Sequence, residues 1–154
     1  MTDKPRVLIV ESPYYADIAE QLLKGAVHTL ETAGVEYDKI SVPGAFEIPA
    51  AIQFALKAME THSATSNYAG FIALGTVIRG ETDHYDHICR EVSRALMDIA
   101  VVQSVALGFG ILTCESKAQA EARADINRGD KGADAANACL RMMDLKKDLR
   151  LAQR

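Results

Sequence analysis

In the string LGTVIRGETDHYDHICREV, residues 74–92, a hydroxyl (Thr82) and an imidazole (His84) follow an apolar run that breaks at Arg79–Gly80. Histidine is the side chain best suited to moving protons near neutral pH. Glycine frees the backbone ahead of it, and amides at a helix start favour anionic or polar ligands. The chemistry open to such a set is general acid–base work on a small polar substrate. A second string, VPGAFEIPAA at 42–51, repeats the pattern: a turn after a strand, then a helix start carrying Glu47.

Alternating strands and helices must position these groups. RVLIVES (6–12), VEYDKISV (35–42), FIALGTVI (71–78) and SVALGFGILT (104–113) read as four strands, the first a β-branched run suited to burial on both faces. Ile18, Leu22, Ala26 and Leu30 recur at helical spacing, and Gly34 closes that helix. Ile48, Ile52, Leu56 and Met59 mark a second helix, whose start Pro49 fixes near Ala45 or Phe46. Ile88, Val92, Leu96 and Ile99 mark a third, and 115–154 is helical with a break around NRGDKG, 127–132. Gly108 and Gly110 in the fourth strand permit close backbone approach. Strands joined by helical crossovers predict a parallel, three-layer α/β/α domain over 1–154. The carboxyl ends of its strands then share one edge, the usual ligand edge of such sheets.

Composition bounds the function. The 154 residues are 49% hydrophobic and 25% charged, as in ordinary globular chains. Only 6% are aromatic, none is Trp, and the net charge is −4, so neither stacked single strands nor a polyanionic partner is indicated. No stretch approaches a membrane span, and MTDKPR leads into strand VLIV without a signal peptide, so a cytoplasmic protein is expected. Cys89, Cys114 and Cys139 lack metal-ligand spacing and read as packing residues, with a place near a site the alternative for Cys114 at its strand end.

VPGAFEIPAA, LGTVIRGETDHYD and FGILT, in that order and separation, resemble the lumazine synthase family, over about Val7 to Leu145. The resemblance implies a flavodoxin-like sheet of four parallel strands in the order 2-1-3-4. It implies condensation of 5-amino-6-(D-ribitylamino)uracil with 3,4-dihydroxy-2-butanone 4-phosphate, without metal or organic cofactor. An imine forms, phosphate is eliminated, and the ring closes to 6,7-dimethyl-8-ribityllumazine with loss of a second water.

Residue by residue, His84 matches the family's general acid/base. Tyr14 matches the aromatic that stacks on the uracil ring, although the Arg-Phe string common in relatives is Pro13-Tyr14-Tyr15 here. Gly44, Ala45, Phe46 and Glu47 match the segment holding the ribityl chain and ring. Val77 and Ile78 match main-chain contacts to the pyrimidine edge. Gly80, Glu81 and Thr82 match the turn that approaches the phosphate, and Arg123 and Lys131 match basic positions beside it. Phe109 and Arg123 match residues supplied by a neighbouring subunit, because sites in the family lie between subunits of a pentamer. Pentamers, paired pentamers and sixty-subunit shells all occur among relatives. The absence of a Gly-x-Lys-x-Gly kink at 125–130 favours pentamers.

The alternatives are bounded. His28 and His62 read as surface residues and His87 as a surface or packing residue, and a metal site from Asp83, His84 and His87 rests on proximity alone. The string ESPYYAD is no flavodoxin phosphate loop, and Glu11 alone does not supply a receiver domain's acidic pair. A relative that binds or stores a flavin or lumazine without turnover is the remaining reading.

Overall fold

Continuous burial along the first and third strands dictates a sheet covered on both faces. The computed structural model describes residues 4–151. Residues 1–3 of the expected start and 152–154 of the expected helical tail lie outside them. The elements are β1 (Arg6–Glu11), α1 (Ala16–Thr32), β2 (Glu36–Ser41), a 3₁₀ turn (Ala45–Glu47), α2 (Ile48–Glu60) and β3 (Gly70–Ile78). They continue with α3 (His84–Val102), β4 (Leu107–Cys114), α4 (Lys117–Ala124) and α5 (Lys131–Asp148). All strand pairs are parallel and the order is β2-β1-β3-β4, as expected.

Val7, Ile9, Ile72 and Leu74 point to a core formed with α1, α4 and α5; Leu8, Val10, Phe71 and Ala73 point to a second core with α2 and α3. Period-2 alternation thus splits each buried strand between two cores. Small residues bring α5 close. A Cβ at Gly108 would overlap the Ala135 carbonyl, and one at Gly132 would overlap the Leu22 carbonyl. Gly34 ends α1 at φ +72°, where its N–H bonds Glu31 O and the Val35 N–H bonds Leu30 O, closing a Schellman turn.

The tail expected to be helical to Arg154 leaves the helix at Asp148, with residues 149–151 outside it, and two other boundaries differ from the sequence reading for a local physical reason. The fourth strand begins at Leu107, not Ser104: Ser104 is left-handed (φ +56°), and Val105 and Ala106 are buried ahead of the strand, where the Ala106 carbonyl accepts the first rung from Phe71 N–H at 2.8 Å. The second helix begins as a 3₁₀ turn. Pro49 has no N–H to offer the Ala45 carbonyl, which instead accepts from Ile48 N–H.

At the amino ends of the strands, Arg6 reaches Asp38 Oδ1 at 2.7 Å and Glu36 Oε2 at 2.5 Å, while Tyr68 OH donates to Asp38 Oδ2 at 2.7 Å. Burial, then the Asp38 carboxylate, pushes the Tyr68 phenol from 10.0 up to about 12. The unfolded chain therefore releases this proton first. The contribution is whole below pH 10 and is lost as pH rises toward about 12. Urea midpoints measured from about pH 9 to about pH 11 should fall less steeply in Tyr68→Phe than in the wild type. Equal slopes would remove Tyr68 from the alkaline transition.

Candidate active site

Backbone rungs beyond the strands hold their carboxyl ends in line. Val42 N–H donates to Glu11 O, Ser12 N–H to Leu74 O and Arg79 N–H to Cys114 O, each at 2.9 Å. From this edge the loops diverge around a cleft of about 640 Å³ lined by Tyr14, Gly44, Ala45, Phe46, Glu47, Val77, Ile78 and His84. Eight of the expected site residues therefore share one hollow, at the position that parallel sheets reserve for ligands.

Each group is held by local chemistry. Tyr14 is 73% exposed, and its ring meets Tyr15 edge-to-face with centroids 5.0 Å apart. Tyr15 packs on the α1-side core, so it buttresses a flat aromatic standing in the cleft. Glu47 sits at the N-cap of α2 yet makes no capping side-chain bond, which leaves its carboxylate for the cleft. Phe46 is 61% exposed beside it. His84 opens α3, and its N–H donates to Thr82 Oγ1 at 3.3 Å. Its imidazole is exposed and has no hydrogen-bond partner among the described residues. Such a ring can exchange protons with a bound molecule without first breaking a protein contact.

Gly80, Glu81 and Thr82 are exposed on the loop ahead of α3 and do not line the cleft. Phe109, Arg123 and Lys131 line a different hollow, of about 320 Å³, where β4 meets α4 and α5. The two hollows share no lining residue. Among the described residues Arg123 makes only long contacts, to Gln119 Oε1 at 3.5 Å and Cys114 Sγ at 3.7 Å. Lys131 pairs with Asp134 at 3.2 Å.

Sequence reasoning did not single out Ser12, Tyr15, Thr76 or Ile88, which also line the cleft. Ser12 and Thr76 are 4% and 8% exposed. A hydroxyl in a strand otherwise apolar was the available signal, since a buried polar side chain needs a partner. Burial raises all three thiols: Cys89, Cys114 (opposed by Arg123) and Cys139, the last to about 12. None is a thiolate nucleophile at neutral pH. His87 pairs with Asp83 at 3.3 Å, and among the described residues no three metal-ligating side chains converge. The cleft itself offers a ligand an exposed imidazole, a carboxylate and an aromatic side chain.

Comparison with known proteins points the same way. The family model described as 6,7-dimethyl-8-ribityllumazine synthase matches residues 4–147. The chain is 54% identical over 143 residues to 6,7-dimethyl-8-ribityllumazine synthase 1 of Rhizobium meliloti (strain 1021), covering 93% of this chain and 92% of that one. It is 53% identical over 146 residues to 6,7-dimethyl-8-ribityllumazine synthase of Agrobacterium fabrum (strain C58), covering 95% and 97%. The Paramagnetospirillum magneticum (strain AMB-1) enzyme, also so named, is 46% identical over 147 residues, covering 96% and 98%.

Proposed function

The chain belongs to the 6,7-dimethyl-8-ribityllumazine synthase family, and from that premise we infer how its cleft performs the reaction. The protein is a transferase of riboflavin biosynthesis. It condenses 5-amino-6-(D-ribitylamino)uracil with 3,4-dihydroxy-2-butanone 4-phosphate and releases phosphate and water. One observation carries the residue assignment: His84 lines the same cleft as Tyr14 and the 44–47 segment.

In that cleft Tyr14 stacks on the pyrimidine ring and leaves the ring edges to the main chain of Val77 and Ile78. Gly44, Ala45, Phe46 and Glu47 hold the ribityl chain, with backbone groups and one carboxylate serving a polyol that carries many hydroxyls and no charge. His84 moves the protons. It delivers one to the departing hydroxyl as the imine forms, takes one as phosphate leaves, and serves again as the ring closes. Gly80, Glu81 and Thr82 offer backbone amides and a hydroxyl to the phosphate as it approaches the start of α3. The side chain of Glu81 is exposed, consistent with its N–H rather than its carboxylate serving an anion.

The same reading makes the site intersubunit. Arg123, Lys131 and Phe109 complete it from a neighbour, with the guanidinium fork on the phosphate. Two observations support this. Those residues lie in a hollow separate from the cleft of their own chain, and Phe46, Phe54, Met97, Val101 and Phe109 are exposed. Large exposed apolar side chains of this number suit association between subunits. The proposal is a homopentamer whose subunit is one domain over residues 1–154. Cytoplasmic residence belongs to it, since three free thiols suit a reducing compartment.

The test is a steady-state assay on purified protein, mixing the two substrates and following lumazine absorbance and fluorescence. Product formation is expected. Binding of riboflavin or the lumazine without turnover would move the function to storage.

A further inference from the structure

We propose that Arg79 is a positioning residue for this reaction, clamping the first turn of α3 to the end of β4 so that His84 keeps its place in the cleft. The proposal rests on the synthase reading of that cleft. Arg79 stands one residue past β3, tied to the ladder by its N–H on Cys114 O at 2.9 Å. Its guanidinium then joins two more elements. Nη2 and Nη1 reach Asp86 Oδ1 and Oδ2 at 3.1 and 3.4 Å, and Nε donates to Glu115 Oε2 at 2.8 Å. Cζ lies 4.3 Å from the centroid of the Tyr85 ring.

Tyr85 and Asp86 directly follow His84, so the clamp acts on the turn that carries the imidazole. Successive residues of a helix point about 100° apart, so fixing residues 85 and 86 toward β4 decides which way residues 84 and 88 face. His84 and Ile88 face the cleft. Little else defines this turn. Residues 79–84 are exposed, and Asp83 makes no side-chain cap bond to α3. The local braces are the 3.3 Å bond from His84 N–H to Thr82 Oγ1, the His87 N–H on the Asp83 carbonyl at 3.2 Å and the exposed His87–Asp83 pair at 3.3 Å, and none of them ties the turn to β4.

Arg94 provides a contrast. It also meets two carboxylates, Glu91 and Asp98, but both lie on its own helix and it joins nothing to α3. Among the described residues only the Arg79 fork spans β3, α3 and the residue after β4. A planar group with five donors and a stacking face can make these contacts together, whereas an ammonium can serve only part of them. Exposed ion pairs add little to stability, so removing this fork should leave the fold intact and loosen the placement of the imidazole. Misplacement of a reacting group by about 1 Å can slow a reaction by up to roughly 100-fold.

The experiment compares Arg79→Gln, Arg79→Lys and Asp86→Asn, each alone and with His84→Ala, in the assembled protein. Lumazine kinetics and thermal midpoints are measured for each. Arg79→Gln is expected to lower kcat about 10-fold with KM changed less than about threefold, and Arg79→Lys to lie between it and the wild type. With His84 already removed, Arg79→Gln should cause no further loss, because the guanidinium acts through the imidazole. An unchanged kcat, or losses that multiply in the double variant, would overturn the proposal. Should Arg79→Gln not fold, Asp86→Asn decides by the same criteria. The ring signal of His84 in ¹³C-histidine-labelled protein, assigned with His84→Ala, gives a readout independent of turnover. Arg79→Gln should shift or broaden it and leave His28 and His62 unmoved, and an unmoved His84 signal would overturn the clamp. An inactive wild type whose His84 signal still responds would refute the synthase reading and leave the clamp standing.

Discussion

Replacing His84 with alanine should slow lumazine formation roughly 10- to 100-fold, with the loss in kcat rather than KM. The imidazole lines the cleft, is exposed, and has no hydrogen-bond partner among the described residues. Its removal therefore leaves no buried group unsatisfied and no contact broken, and the fold should be unaffected. A positioned acid/base typically contributes about 100- to 10,000-fold, and the expectation here sits at or below that floor for a physical reason. The amine and ketone are intrinsically reactive partners, so holding them together supplies much of the rate. An exposed site also admits water, which can carry protons less efficiently in place of the ring. Steady-state kinetics of the variant, with its thermal midpoint as control, decide the matter. Activity within twofold of the wild type would place the acid/base elsewhere, and a loss confined to KM would make His84 a binding residue.

The residues that share the cleft were legible in the sequence because they follow from two local rules. Apolar strand runs end where glycine or proline appears, and parallel strands bring those ends to one edge. Tyr14, the 44–47 segment, Val77, Ile78 and His84 all sit within a few residues of such an end. The exact limits of elements were less legible. Val105 and Ala106 are apolar and buried yet precede β4, because hydrophobic pattern reports burial and does not register the left-handed backbone at Ser104. Contacts between distant residues could not be read at all. Arg79 meets Glu115 across 36 positions, and no spacing rule links them. Nor could composition or motif order show that Arg123 and Lys131 line a hollow of their own rather than the His84 cleft.

That separation gives the intersubunit proposal a quantitative consequence. Arg123→Ala should weaken use of the butanone phosphate by roughly 10- to 100-fold in kcat/KM, since a charge-assisted bond contributes about 1.5–3 kcal/mol. The exposed guanidinium makes only long contacts in its own chain, so the fold should not suffer. On its own this variant cannot say which subunit's arginine serves which cleft. Mixing can. In assemblies formed by co-expressing His84→Ala and Arg123→Ala chains in equal amounts, about half of the cleft sides retain His84 and about half of the facing sides retain Arg123. If the two groups act on one substrate from different subunits, about a quarter of the sites are intact, and the mixture should recover about a quarter of wild-type activity. If each chain completed its own site, every site would carry one lesion, and the mixture would show no more than the average of the two variants. The ratio of these outcomes grows with the severity of the single defects. A pair of variants each reduced well below a tenth of wild type therefore separates an intersubunit site from an intrasubunit one in a single activity measurement.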